Sequence, residues 1–314
     1  MAFVKDIKYL SNKDVGIAGG KGASLGEMTQ AKIPVPPGFV VLSSAFEKFL
    51  EETDLGVEIE ALLHQVNHKD VNSVEKVSVE IRNLIDNAEF PQDIGEIIKK
   101  EFSKLNSDYV AIRSSATAED SKVASWAGEL ESYLNTTTGT LLVNIKKCWS
   151  SLFTPRAIFY RFEKRLHKNK VLVAVVVQSM IQSEVSGICF TVHPVTKDYD
   201  QMVIEAGCGL GDAIVGGKIT PDMYVVHKQG QKLELLDKNI NQQEIMIVRG
   251  ADGNVEKDVP REDQEKQKLS DKQILKLAKI CRKIENHYKC PQDIEWALAK
   301  NKFYIVQSRP ITTL

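Results

Sequence analysis

The 314-residue chain has no run of about eighteen apolar residues, so nothing in it reads as a membrane-spanning helix. It has no excess of either charge. Lys and Arg number 41 against 42 Asp and Glu, which leaves no overall basic field to hold a nucleic-acid backbone, so any anion site has to be local. It has no Cys-x-x-Cys pair. The five cysteines, Cys148, Cys189, Cys208, Cys281 and Cys290, are odd in number and dispersed, which points to reduced, mostly buried thiols rather than a zinc site or a disulfide framework. No internal repeat, low-complexity tract or long Gly/Ser/Pro linker separates independent domains. Lys5, Asp6 and Lys8 interrupt the apolar positions of the first ten residues, so no signal-peptide core is expected and the protein is expected to stay in the cytoplasm.

Hydrophobic residues at 43% and charged residues at 26% are those of an ordinary soluble globular protein, and the length calls for two lobes or subdomains. Residues 1 to about 170 read mainly as helix, with short strands at Gly38 to Leu42 and Tyr109 to Arg113. One helix is expected from Pro91, with Ile94, Ile97, Ile98, Phe102 and Leu105 forming its core face. After His167 the texture turns β-rich, in runs at Val171 to Met180, Gly187 to Val192, Met202 to Ala206, Met223 to His227 and Glu244 to Val248. These predict a mixed, mostly antiparallel sheet. A helix from Asp271 to His287 then precedes a hairpin of Asp293 to Leu298 and Phe303 to Gln307, joined by Ala299 to Lys302.

Three segments carry possible chemistry. The first is glycine-rich, Gly19-Gly20-Lys21-Gly22-Ala23-Ser24-Leu25-Gly26-Glu27-Met28, and its backbone amides could face a phosphate. It is not a Walker A loop, because Gly16 is one position too close to Gly20-Lys21 and Gly22 stands where Ser or Thr should be. A tight turn with a solvated lysine explains it equally well. In the second, Val110 to Arg113 delivers an arginine into Ser114-Ser115-Ala116-Thr117-Ala118-Glu119-Asp120, where Arg113 could grip phosphate oxygens and the stretch to Gly128 could fold over a ligand. The bland alternative is a surface loop whose acidic residues cap a helix. In the third, Asp293 and Glu295 alternate on one strand of the hairpin, and Gln307 and Arg309 on the other, so each pair shares a face. Glu295 and Gln307 could offer oxygens to Mg²⁺, with Arg309 adding positive charge nearby; a cross-strand salt bridge is the plainer reading.

Gly207, Gly209 and Gly211 lack the sixth-position glycine and the βαβ setting of a dinucleotide fingerprint, and read as a loop. The six histidines are scattered. Val175-Val176-Val177 reads as a buried strand whose end, at Gln178 and Met180, could border an adenine pocket.

Taken in order, these segments resemble the ATP-binding domain of the pyruvate phosphate dikinase and phosphoenolpyruvate synthase family from about residue 10 onward. The resemblance rests on residues 19–28 and 113–120, Pro36-Pro37-Gly38-Phe39, Ala127-Gly128 and Ser186-Gly187-Ile188-Cys189-Phe190-Thr191. It continues in Ile204-Glu205-Ala206 with Gly209-Leu210-Gly211, Asp293-Ile294-Glu295-Trp296-Ala297, and Gln307-Ser308-Arg309-Pro310-Ile311-Thr312. The sequence departs from the family at Glu129-Leu130, where two glutamines are usual, and at Asp212, where glutamate is more common.

The resemblance implies an α+β, ATP-grasp fold, with an N-terminal lobe over residues 1–180 and a C-terminal lobe over 181–314 carrying the metal-binding hairpin. It implies that Lys21 and Arg113 contact phosphates, that Glu295 and Gln307 ligate Mg²⁺, and that Arg309 contacts the polyphosphate. Lys21, Arg113 and Arg309 would be the catalytic set. Ser125 to Gly128 would belong to a phosphate-covering loop, and Gln178 with Met180 would border the adenine. In the family, ATP becomes AMP as phosphate passes to a histidine on a swivelling domain and on to pyruvate. None of the six histidines here has the family's phosphoacceptor setting, so a phosphohistidine domain is expected in trans or in a longer parent chain. Rifamycin phosphotransferases share this ATP domain, and a non-catalytic adenine-nucleotide sensor is a further alternative.

Overall fold

The computed structural model describes residues 2–117, 131–164, 171–230, 232–251 and 253–312. The chain divides into two compact units, Met1–Glu27 with Pro37–Met180, and Met28–Pro36 with Ile181–Leu314. Among the described residues no helix is long and apolar enough to cross a membrane. All five cysteines are free, and Cys148, Cys189 and Cys281 are buried.

Up to Met180 the elements are β1 (Val4–Asp6), α1 (Val15–Gln30), β2 (Gly38–Val41), α2 (Ser43–Glu52), α3 (Leu55–His64), α4 (Val71–Asn87) and α5 (Gln92–Lys104). They continue with β3 (Val110–Ala116), β4 (Ser132–Thr136), α6 (Leu141–Ser150), α7 (Pro155–Glu163) and β5 (Val173–Ser179). The strands form one antiparallel sheet in the order β1-β2-β5-β3-β4. Strand β5, which by texture belonged with the later β-rich runs, is hydrogen-bonded between β2 and β3. Local alternation identifies a strand but not its neighbours, which are set by contacts distant in sequence.

Pairing fixes which side chains share a face of this sheet. Phe39, Val41, Val110, Ile112, Val173, Val175 and Val177 join the apolar core with residues of α2 and α4–α7. At its centre the fully buried Trp149 ring lies 5.3 Å from Phe46, 5.1 Å from Phe49 and 5.3 Å from Phe90. On α5, Ile94, Ile98 and Phe102 are buried as expected, but Ile97 is 39% exposed. The stripe follows the four-residue spacing 94–98–102, and a residue adjacent to Ile98 is turned about 100° off it. Pro91 is the residue before this helix rather than part of its first turn.

The later elements are β6 (Val185–Phe190), β7 (Gln201–Cys208), α8 (Asp212–Val215), β8 (Asp222–Gln229), β9 (Lys232–Asn239), β10 (Ile245–Arg249) and β11 (Asn254–Asp258), followed by α9 (Asp271–Tyr288), β12 (Gln292–Ala299) and β13 (Lys302–Pro310). Strands β10 and β11 form a hairpin, and the others form a six-stranded sheet in the order β13-β12-β6-β7-β8-β9. Every neighbouring pair is antiparallel, so the sheet is not mixed. Helix α9 starts at a capping box between Ser270 and Gln273 and buries Ile274, Leu277, Ala278, Cys281 and Ile284. Of the glycines read as a loop, Gly207 lies inside β7; Gly209 has φ +78° and sits so close to β10 that a Cβ would stand 2.4 Å from the Ile247 carbonyl oxygen.

Trp149→Ala is expected to cost about 3–5 kcal/mol by emptying the centre of the aromatic cluster. Trp149→Phe should cost much less, because it keeps a ring in the cluster, while both variants lose an indole N–H that among the described residues is buried without a hydrogen-bond partner. Urea unfolding of both variants checks this; a Phe variant as unstable as the Ala variant would contradict it.

Candidate functional site

Each unit carries part of the predicted set on one face of its sheet. In the first unit, Arg113 pairs with Val176 of β5 and Ser132 of β4, while Gln178 pairs with Ala111 and Gly38. Arg113 and Gln178 therefore share the face opposite the apolar core. Helix α1 meets the same strand. It is broken at Gly19, with φ 69° and ψ 171°, a conformation essentially restricted to glycine. A Cβ there would lie 2.2 Å from Ser115 Oγ. Ser115 Oγ donates to the Ala18 carbonyl at 2.9 Å and accepts from the Gly22 N–H at 3.2 Å, and Lys21 Nζ donates to the Ser114 carbonyl at 3.0 Å. Lys21 and Arg113 are half-buried and Gln178 is buried. Met180, half-buried, donates its N–H to the Tyr109 carbonyl at 3.0 Å just past the end of β5. Gly128 and the rest of 118–130, including Ser125, Glu129 and Leu130, lie outside the described residues.

In the second unit, Asp293 pairs with Arg309 and Glu295 with Gln307. The register slips after Glu295, so that Trp296 pairs with Ile305 and Val306 is the extra residue. The bulge lets Gln307 share a face with Glu295 although Ile305, two residues away, is buried beside Trp296 on the other side. Arg309 donates from Nε and Nη2 to Asp293 Oδ2, at 2.8 and 2.7 Å. Gln307 is 8% exposed, and among the described residues its Oε1 has no hydrogen-bond partner.

Sequence reasoning placed Glu205 in a motif but gave it no role. It lies in the same cross-strand row, Glu205–Ile188–Glu295–Gln307. The signal available beforehand was alternation: Glu205 interrupts the apolar run of β7 between the buried Ile204 and Ala206. Burial, aided by the charge of Asp293, holds its carboxyl above the usual carboxylate range. Asp293 is also pushed up by burial, with Glu295 adding to the effect and the Arg309 guanidinium opposing it. This face is thus rich in acceptor oxygens. A hard divalent cation such as Mg²⁺ prefers oxygen ligands, and the orphaned Gln307 Oε1 beside Glu295 fits such an ion.

One unit thus presents Lys21, Arg113 and Gln178 about one face of its sheet, and the other presents a face rich in acceptor oxygens. The family model described as pyruvate phosphate dikinase, AMP/ATP-binding domain, matches residues 15–314, and the chain belongs to that family. It is 47% identical to a probable phosphoenolpyruvate synthase of Methanocaldococcus jannaschii, in an alignment covering 100% of this chain and 27% of that protein. It is 45% identical to a probable phosphoenolpyruvate synthase of Methanothermobacter thermautotrophicus (99% and 46%), and 38% identical to a rifampicin phosphotransferase of Bacillus subtilis (100% and 36%). The chain thus spans less than half the length of these relatives.

Glu205→Gln is expected to stabilise the ligand-free protein at pH 7. A carboxyl whose pKa is raised by folding destabilises the fold when ionised, so the cost is absent at low pH, grows as pH rises through the ordinary carboxylate range and is full above the raised folded value. The advantage of the variant should therefore shrink between pH 7 and pH 4 in urea unfolding. An advantage independent of pH would contradict this assignment.

Proposed function

We propose that the chain is the ATP-binding phosphotransferase domain of a phosphoenolpyruvate synthase-like enzyme, with an ATP-grasp fold that binds Mg²⁺-ATP. The observation that carries this reading is the buried, unpartnered Gln307 Oε1 paired across the hairpin with Glu295, in a chain of a family whose model is named for AMP and ATP. In this reading Lys21 and Arg113 neutralise phosphate oxygens, Arg309 contacts the polyphosphate, and Gln178 with Met180 borders the adenine. Glu295 and Gln307 would hold Mg²⁺, which when bound would offset negative charge on the phosphates.

The chain's own contribution to phosphoryl transfer is positioning and charge. A guanidinium grips two oxygens and stays charged at any working pH, which suits charge spread over phosphate oxygens. The accepting group would be a histidine on a domain supplied in trans or by a longer parent chain, with AMP as product and pyruvate as the final acceptor. Greater identity to the relatives named phosphoenolpyruvate synthase, 45–47% against 38%, favours the synthase branch over a rifamycin phosphotransferase. A nucleotide sensor without catalysis would not need Lys21, Arg113 and Arg309 together.

Mg²⁺-ATP is expected to raise the thermal midpoint, since a ligand at 100 times its Kd adds about 2.7 kcal/mol. Glu295→Gln should lose most of the magnesium-dependent part and keep the part seen in EDTA; equal losses in both would show that Glu295 does not serve a cation. With a separate phosphohistidine domain, Arg113→Ala and Arg309→Ala should each slow AMP release about 100-fold or more while circular dichroism stays unchanged. Near-normal release from both folded variants would overturn the assigned roles.

A further inference from the structure

Glu205 stands on the same sheet face as Glu295 and Gln307, two strands from Glu295 and so about 10 Å away across the sheet, measured between backbones. Ile188 lies between them. Glu205 is half-buried, and among the described residues its carboxylate has neither a hydrogen bond nor an ion pair. Burying a carboxylate in this way is unfavourable unless a donor or cation meets it. A shared metal is not the partner the geometry offers. The row puts Ile188 between the two carboxylates, so a cation held by Glu295 and its hairpin neighbour Gln307 sits on the far side of that strand from Glu205. Phosphate is excluded by charge, since carboxylate and phosphate repel. Neutral donors of the ligand remain, and these must lie a two-strand distance from the phosphates held at the hairpin.

We propose that Glu205 accepts hydrogen bonds from the ribose hydroxyls of a nucleotide bound on this face, which makes it a specificity residue for ribonucleotides. The inference rests on the Mg²⁺-ATP reading. A carboxylate suits the task because both of its oxygens accept, so one group can meet two vicinal hydroxyls. The two-strand spacing corresponds to the reach from metal-bridged phosphates to the sugar of an extended nucleotide.

The test compares ATP, 2′-deoxy-ATP and 3′-deoxy-ATP by calorimetry on the chain, its Glu205→Ala and its Glu205→Gln variants, with Mg²⁺ and with EDTA. The unmodified chain should bind ATP about 10-fold or more tightly than either deoxynucleotide, the worth of a hydrogen bond to a charged group. Glu205→Ala should close that gap by weakening ATP alone, and Glu205→Gln should close it in part. The preference should persist in EDTA. A purely structural role would weaken all three nucleotides alike, and a metal-ligand role would erase the difference between Mg²⁺ and EDTA; either result overturns the proposal. Equal binding of ATP and its deoxy analogues by the unmodified chain also overturns it, whether or not the variants fold. No binding of ATP by the folded chain would instead refute the Mg²⁺-ATP reading on which the inference stands.

Discussion

Strand β3 holds helix α1 at the point where the helix breaks, and the first unit's share of the candidate site hangs on that contact. Ser115 Oγ bonds the Ala18 carbonyl on one side of the break and the Gly22 N–H on the other, with the Gly19 backbone too close to admit a Cβ. The break starts a fresh helical turn at Gly20 and Lys21, and Lys21 reaches back to the carbonyl of Ser114. The next side chain along points the other way. Ser114 Oγ lies 2.9 Å from the Glu131 carbonyl and 3.1 Å from Ser151 Oγ, among the helices that form the apolar core. Alternation along a single strand thus ties the packing of the unit on one face to the placement of Arg113 and Lys21 on the other.

The second unit shows a comparable division with a different energetic character. Cys189, Ile204, Tyr224 and Ile294 alternate with Ile188, Glu205, Met223 and Glu295 across four strands; the first group is fully buried, the second only partly. The buried side carries the stability. The other side gathers Glu205, Asp293 and Glu295 with an unpartnered amide oxygen, and burial works against ionisation of Glu205 and Asp293. A fold under selection for stability alone has no reason to keep such a face, whereas a site waiting for donors and positive charge does.

Much of this was legible in the residues, because the signals were local. Alternation in Asp293, Glu295, Gln307 and Arg309 anticipated one shared face, and the actual register brings Glu295 opposite Gln307 and Asp293 opposite Arg309. The four-residue rhythm of α5 anticipated Ile94, Ile98 and Phe102, and overreached only at Ile97. What escaped depends on pairing between distant segments. The resemblance put residues 1–180 in one lobe, but the pairing of β5 between β2 and β3 is settled by those distant strands, and nothing within Val173–Ser179 announces it. The row that joins Glu205 to Glu295 passes through β6, so it exists only once three strands are in register. The bulge at Val306 is similarly silent in sequence, since Ile305 and Gln307 stand at positions where simple alternation would put them on one face.

The ion pair of Arg309 and Asp293 bears on whether this face is a site or only a cross-strand salt bridge. Arg309 is 39% exposed, and a pair of that kind contributes on the order of 0–1 kcal/mol. Asp293 is far more buried, at 13%, and its carboxyl remains above the usual range even with the guanidinium beside it. The pair therefore does not recover what burying Asp293 costs. Both donated bonds also go to a single oxygen, Oδ2, rather than forming the two-oxygen fork that makes arginine–carboxylate pairs strong. A salt bridge kept for stability would be better made with both partners exposed or both oxygens engaged. The geometry is instead that of a guanidinium held in a fixed direction by a carboxylate next to the Glu295–Gln307 pair, which is the orientation that the proposed Mg²⁺-ATP reading asks of Arg309.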